Sequence, residues 1–261
     1  MRRIVLSLAV FVLMTFLVSG CVKTHMVVIA DASGPSKDKH GMLEEEKATD
    51  PFASLTDDTT QFQGPPCPLT RVTLPSEPVY QRKLPWCWIA SAKMVMAFHK
   101  VPRRQCELYN TAYQNRLTIA RITDCCAFDS PETPDNTAPD PASLTTGTFA
   151  CLRTGWPDLA LKRSGLDFSL RKNPLQWESL KNQLCGQRPF IFVVKFRGGG
   201  GHSQAVKGFV QAADGSRVVV VDDHINGIKD FPYECGYAQS CEQTPTWTHH
   251  GNYINIRLSS Q

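Results

Sequence analysis

The amino-acid sequence predicts an α+β fold, in which helices come first and an antiparallel sheet follows. Apolar and small residues recur at helical spacing after Cys87. The later part of the chain holds runs of β-branched and aromatic residues that are separated by turn signals. With 261 residues and a hydrophobic content of 42%, the chain is large enough for a packed core in one or two domains.

Three helices are predicted from apolar periodicity and from the residues that bound it. The first begins near Cys87 and ends before Pro102, because proline cannot continue a helix. The second spans residues 105–115. The third has Asn173 as its N-cap and Pro174 at its first helical position, continues through residues 175–184 and stops at Gly186; an asparagine side chain satisfies free N–H groups of the first turn.

Four strands are predicted in the second half of the chain. Residues 189–196 are largely β-branched and aromatic, and the glycines at 198–201 predict a turn after them. His202 therefore opens the returning strand. Residues 217–221 predict a third strand, and residues 252–258 predict a closing one.

Charge and short motifs exclude several classes of protein. Lys and Arg number 28 and Asp and Glu 24, and the net charge of +4 is too small to indicate a nucleic-acid partner. The sequence contains no C-x-x-C, H-E-x-x-H, G-x-S-x-G or G-x-x-x-x-G-K-[ST] motif. Signatures of a zinc ribbon, a metalloprotease, a serine hydrolase and a P-loop are therefore absent from it.

The N-terminus has the pattern of an export signal. Basic residues precede an apolar run from Ile4 to Val18, which is shorter than the ~20 residues of a membrane-spanning helix. Small residues lead from this run into Cys21, which resembles a bacterial lipobox. Residues 1–20 are then a signal peptide, and lipid on Cys21 anchors the exported chain to a membrane. Val22, where inner-membrane lipoproteins carry aspartate, points to the outer membrane. The alternative is an ordinary signal peptide with an incidental cysteine.

Residues 21–66 are predicted to be a flexible tether. Charged residues, proline, glycine, serine and threonine dominate this segment, so it buries too little apolar surface to offset the entropy of ordering. The folded unit is expected to span residues 67–261 as one domain.

The cysteine count singles out one thiol. Ten cysteines indicate an oxidising compartment, and nine remain when Cys21 is set aside. Cys87 is the candidate for the odd thiol, because a helix N-terminus stabilises a thiolate and lowers its pKa. The other eight are expected to form four disulfides, which argues against a metal site. They are Cys67, Cys106, Cys125, Cys126, Cys151, Cys185, Cys235 and Cys241. Their connectivity stays open, except that the two adjacent cysteines are expected to have different partners.

A thiolate nucleophile needs a base that takes and returns its proton, and a donor that stabilises the oxyanion. Gln81 lies six residues before Cys87, and His202 follows the predicted glycine turn. Asp222 and Asp223 end the next predicted strand. These residue types, in this order, form a candidate site for acyl transfer.

On these residues the sequence resembles the papain-like cysteine proteases, and most of all short bacterial members such as bacteriocin-processing peptidases and avirulence-effector proteases. The family shares Gln-x5-Cys-Trp, which Gln81 and Cys87–Trp88 match. Its histidine is followed six residues later by glycine and an aromatic residue, as His202 is by Gly208–Phe209. The resemblance implies a papain-like fold, in which a helical half with the nucleophile helix packs on an antiparallel sheet half.

The resemblance also implies a role for each site residue. Cys87 would be the nucleophile, His202 the general base, and Gln81 an oxyanion donor. The short bacterial members usually have proline after the third catalytic residue, and this sequence has none there. They often have a polar residue before the acid and glycine four residues after it, which favours Asp223 over Asp222 and leaves both as candidates.

We therefore expect an exported, lipid-anchored cysteine peptidase that needs no cofactor and acts on a protein or peptide. One alternative is a peptidoglycan amidase of the NlpC type, which is also an exported Cys/His enzyme but lacks the Gln-x5-Cys-Trp context. The other is a catalytically silent binding lipoprotein that disulfides keep rigid.

Overall fold

A computed structural model of the chain describes residues 49–56, 65–119, 124–128, 151–243 and 245–259. The predicted signal peptide (1–20), the lipidation candidate Cys21 and most of the predicted tether lie outside the described residues. Within the described ranges, no helix is long and apolar enough to cross a membrane.

The described residues form four α-helices and seven β-strands. The helices are α1 (Cys87–Phe98), α2 (Gln105–Ile119), α3 (Pro157–Arg163) and α4 (Trp177–Cys185). The strands are β1 (Arg71–Thr73), β2 (Leu166–Arg171), β3 (Phe190–Phe196), β4 (Gly201–Gln211), β5 (Arg217–Asp223), β6 (Gly227–Pro232) and β7 (Trp247–Leu258). The predicted α+β class is confirmed.

The strands form one antiparallel sheet in the order β2-β7-β3-β4-β5-β6. Strand β4 is long enough to have two neighbours on one side. Its first half pairs with β3, and its second half pairs with β1, where Val72 lies opposite Phe209. The turn between β3 and β4 contains three of the four glycines; the fourth, Gly201, begins β4, and His202 is the second residue of that strand.

Helix α1 is the buried centre of the helical side. Met94, Val95 and Met96 are consecutive and fully buried, which means that the helix is covered on more than one face. It packs on β4 and on helix α3. The helix ends at Phe98, before the predicted stop at Pro102, because Lys100 adopts a left-handed conformation with φ of 62°.

The third predicted helix begins later than the sequence indicated. Its first helical residue is Trp177, and Asn173 is not its N-cap. The backbone before the helix is held by other partners, since Asn252 Nδ2 donates to Asn173 O at 2.8 Å and Leu175 N donates to Tyr237 Oη at 3.1 Å. These bonds to the sheet side keep the segment extended.

Four disulfides join the eight cysteines named above. The pairs are Cys67–Cys185, Cys106–Cys126, Cys125–Cys151 and Cys235–Cys241. The adjacent cysteines thus bond to different partners, one on α2 and one just before α3. Among the described cysteines, Cys87 is free.

The tether prediction needs correction for residues 49–56. Phe52 is fully buried, and its ring meets the rings of Trp156 and Tyr253 edge-on. Asp50 Oδ2 accepts a bond from Lys195 Nζ at 2.7 Å and lies 2.9 Å from His250 Nε2. One aromatic side chain and one carboxylate hold this segment against the domain. The tether prediction was based on the average composition of residues 21–66, in which two such residues have little weight.

Candidate active site

Cys87 is the first residue of helix α1, directly after a 3-10 turn over Leu84–Trp86. The tryptophan indoles around it are buried, and Trp86 Nε1 donates to Cys151 O at 2.9 Å, which fixes the turn that leads into the helix. The residue Cys87 is only partly buried. A nucleophile at this position is held by packed neighbours and remains accessible.

His202 reaches Cys87 because helix α1 packs on the start of strand β4. Ser91, one helical turn after Cys87, shares a buried hydrogen bond of 2.8 Å with Ser203, the residue after His202. The imidazole and the Cys87 thiol interact directly, and each shifts the pKa of the other. The imidazole Nε2 lies 3.5 Å from Asp223 Oδ1, which leaves Nδ1 for the sulfur.

The thiol and the imidazole stabilise each other's charged forms. Burial alone raises the pKa of Cys87, but the bond to His202 and backbone N–H groups of Ser203 and Trp88 outweigh it and lower that pKa. Burial lowers the pKa of His202, and the bonds to Asp223 and Cys87 overcome that effect and raise it. The arrangement favours a thiolate beside an imidazolium.

Asp223 remains a carboxylate although it is buried. Burial raises its pKa, but His202 opposes this through its hydrogen bond and its charge. Asn226 Nδ2 donates to Oδ2 at 2.7 Å, and the Ile225 N–H donates to Oδ1 at 3.1 Å. The net effect is a pKa well below the ordinary value.

Asn226 is a site residue that the sequence reasoning missed. The Asn226–Gly227 dipeptide is a turn signal, and asparagine in such a turn often bonds to nearby groups. That signal was sufficient to predict the turn between β5 and β6, although not its bond to Asp223.

Asp222, the other candidate, points away from His202. Its side chain is fully buried, and its Oδ2 accepts the Val79 N–H at 2.9 Å. Burial raises the pKa of Asp222 to about 7. The structure therefore places Asp223 next to the imidazole and Asp222 against a different segment of the chain.

Gln81 lies on that segment. Its side chain is 2% exposed, and Nε2 donates to Leu84 O at 2.8 Å, within the turn that leads to Cys87. A primary amide has two N–H groups on the same nitrogen, so Gln81 retains one for a further acceptor.

Comparison with known proteins identifies a family for the chain. Residues 73–253 match the model of the family described as "Peptidase_C39 like family". The chain belongs to this family. The matched range includes Gln81, Cys87, His202 and Asp223.

Solved structures that match include xylellain, a cysteine protease from Xylella fastidiosa, with a TM-score of 0.39 and 14% sequence identity. That match covers 77% of this chain and 92% of xylellain. A search of curated proteins finds no match.

As a member of the Peptidase_C39 like family, the chain is a cysteine peptidase, as the sequence predicted. Its fold has the predicted α+β class. In the part of this peptidase that the structure describes, no group of three or more His, Cys, Asp or Glu side chains is arranged to hold a metal ion. The chemistry available at the site is that of the thiol, the imidazole, the carboxylate and the surrounding N–H groups.

Proposed function

We propose that this peptidase hydrolyses peptide or isopeptide bonds of a protein or peptide substrate through Cys87, His202 and Asp223. The observation that carries the proposal is the free Cys87 thiol beside the His202 imidazole, whose Nε2 lies 3.5 Å from Oδ1 of the buried Asp223. Such a chain of three groups activates a nucleophile and keeps a proton available for the leaving group.

In the first half-reaction, the Cys87 thiolate attacks the carbonyl carbon of the scissile bond. A C–S bond forms, and the electron pair of the carbonyl moves onto oxygen. When that pair returns, the C–N bond breaks and the His202 imidazolium gives its proton to the departing amine. The product is a thioester between the acyl half of the substrate and Cys87.

In the second half-reaction, water replaces the amine. Neutral His202 takes a proton from the water as the oxygen attacks the thioester carbon. The C–S bond then breaks, the acid product leaves, and the thiolate–imidazolium pair is restored. Asp223 stays ionised throughout, because its pKa lies well below the ordinary range, and it orients the imidazole.

The oxyanion of each tetrahedral intermediate needs fixed donors. We assign this role to the remaining N–H of the Gln81 amide, which lies in the segment before Cys87, and to the backbone N–H of Cys87 at the start of α1. Donors that are already in place at a helix N-terminus stabilise developing negative charge without reorganisation.

For the location, we propose export and a lipid anchor. The apolar run 4–18 after basic residues, and the small residues before Cys21, support a lipoprotein signal that ends at residue 20. Labelling of the expressed protein with a fatty-acid probe tests this. Label on the wild-type chain and none on Cys21→Ser is expected, whereas label on neither protein would contradict the anchor.

The catalytic proposal is tested by incubating the chain with a library of fluorogenic peptides. Cys87→Ser should abolish cleavage with little change in Tm, because serine is nearly isosteric with cysteine. His202→Ala should likewise abolish cleavage. Cleavage by Cys87→Ser would contradict the mechanism. Release of amino groups from purified peptidoglycan, with no cleavage of peptides, would assign the amidase reaction instead.

A further inference from the structure

Strand β5 ends in two aspartates, and a histidine follows the strand; these three polar residues serve two different parts of the molecule. Successive side chains of a strand point to opposite faces. Asp223 faces His202, whereas Asp222 and the next residue, His224, face the segment Val79–Arg82, which carries Gln81.

Asp222 and His224 bind the beginning of that segment by three hydrogen bonds. Asp222 Oδ2 accepts the Val79 N–H at 2.9 Å, and His224 Nδ1 lies 2.7 Å from Val79 O. The carbonyl of His224 accepts the Gln81 N–H at 2.9 Å. Because a carbonyl only accepts, Nδ1 of His224 carries the proton that bonds to Val79 O.

Gln105, the first residue of α2, binds the same segment from another side. Its Nε2 donates to Tyr80 O at 2.7 Å, and its Oε1 accepts the Arg82 N–H at 3.1 Å. The buried amide of Gln105 thus hydrogen-bonds to the backbone on both sides of Gln81, donating to one residue and accepting from the other. Gln105 is fully buried, so its two bonds are shielded from water.

These contacts cost more free energy than apolar packing at the same place would, which indicates that the position of the segment matters. Asp222 and His224 are both 0% exposed, and buried ionisable groups lose hydration that a single hydrogen bond restores only in part. Apolar residues of similar volume fill such a place without that cost. All of these bonds converge on the four residues around one glutamine, and an oxyanion donor must be held within a fraction of an ångström.

We infer that Gln105, Asp222 and His224, here called the Gln81 clamp, are positioning residues that hold Gln81 as the oxyanion donor. The inference rests on the proposed function. It assigns separate tasks to adjacent residues at the end of β5: Asp223 orients the imidazole, and Asp222 and His224 on both sides of it position the oxyanion donor.

Two reagents separate these tasks. Acylation of Cys87 by p-nitrophenyl acetate passes through an oxyanion, and its rate is followed by release of p-nitrophenolate. Alkylation by iodoacetamide forms a C–S bond and expels iodide, with no oxyanion.

Gln105→Met and Asp222→Ala should each slow acylation about tenfold or more, which is a smaller loss than removal of the Gln81 donor itself. Alkylation rates and their pH profile should stay within about twofold of wild type, because Cys87 and His202 are intact.

Conservative and remote variants serve as controls. Asp222→Asn retains an acceptor for the Val79 N–H, and His224→Asn retains a donor near the place of Nδ1, so both should acylate nearly as fast as wild type. Gln183→Met removes a buried glutamine on α4, which bonds to Asn255 at 2.8 Å, and should leave acylation unchanged.

Combination with Gln81→Ala tests whether the clamp acts through Gln81. In that background, Gln105→Met should slow acylation by less than about twofold, since the donor it positions is already gone. An additive loss, a parallel loss in alkylation, or unchanged acylation in both clamp variants would overturn the inference. If wild type itself is not acylated on Cys87, the proposed function fails first, and that result is distinct from all of these.

Discussion

Two adjacent aspartates at the end of strand β5 have the same chemistry and opposite electrostatics. The pKa of Asp223 is driven well below its ordinary value, whereas the pKa of Asp222 is raised to about 7. Burial differs little, since Asp223 is 7% and Asp222 0% exposed. The comparison shows that partners, rather than depth, decide whether a buried carboxyl is charged.

The partners differ in number and charge. Asp223 lies next to a cationic imidazole and accepts bonds from Asn226 and from the Ile225 N–H. Asp222 accepts one backbone N–H, and Lys207 lowers its pKa only through a weaker charge interaction. On one face of the strand, Asp223 stabilises the positive charge of the imidazolium beside the thiolate. On the other face, Asp222 binds a backbone N–H of the segment that carries Gln81.

The largest expected effect on activity comes from replacing Asp223, which faces His202. Asp223→Ala should lower kcat on a cleavable peptide by about 10² or more, because the imidazolium loses both its orientation and its counter-charge. Asp223→Asn should retain far more activity, since an amide oxygen still accepts the imidazole N–H. Steady-state kinetics of both variants measure the difference. Equal losses for Ala and Asn would mean that His202 is not held by this residue.

The opposite face is tested through the glutamine that it supports. Gln81→Ala should lower the acylation rate by roughly 10²–10³, the scale of one oxyanion donor. Iodoacetamide alkylation of Cys87 should be unchanged, because it develops no oxyanion. A parallel loss of alkylation would show that Gln81 acts on the thiol and that the two faces are not separate.

A smaller effect concerns stability. The pKa of Asp222 rises from 3.8 to about 7 on folding, so the folded state binds a proton that the unfolded chain releases. Its contribution to stability is present below the unfolded pKa and is lost as the pH rises through the folded pKa. Asp222→Asn does not titrate, so its Tm relative to wild type should increase from about pH 4 to about pH 7. A pH-independent difference would contradict the raised pKa.

His224 should give the opposite slope. Burial lowers its pKa from 6.5 to about 3, so the unfolded chain binds a proton that the folded state excludes. Stability from this residue is present above the unfolded pKa and is lost as the pH falls through the folded one. The Tm of His224→Asn relative to wild type should therefore increase as the pH falls from about 6 to about 4. The same thermal melts measure both variants.

Helices and strands with a strong apolar periodicity were predictable from the sequence, whereas the direction in which an individual side chain points was not. The helix that begins at Cys87 and the strand with His202 near its start follow from apolar spacing and from a glycine turn. The choice between Asp222 and Asp223 did not follow, because four valines precede them and conceal which face is buried. Resemblance to a family favoured Asp223, which is the residue that lies beside His202.

The clamp and the docked segment 49–56 could not be found from periodicity. Val79 and Asp222 are 143 positions apart, and Asp50 and His250 are 200 apart. Such contacts depend on the complete sheet, since β5 must be paired on both sides before its end faces the segment with Gln81. Gln105 begins the predicted helix 105–115, but its function became evident only from its two backbone partners.

The thiolate–imidazolium pair is tested by the pH dependence of Cys87 alkylation with iodoacetamide, in wild type and in His202→Ala. The account predicts that reactivity in wild type persists well below pH ~8.5, the pKa of an ordinary thiol. In His202→Ala the profile should shift upward toward that value. A wild-type profile that already titrates near ~8.5 and does not move in His202→Ala would contradict the account.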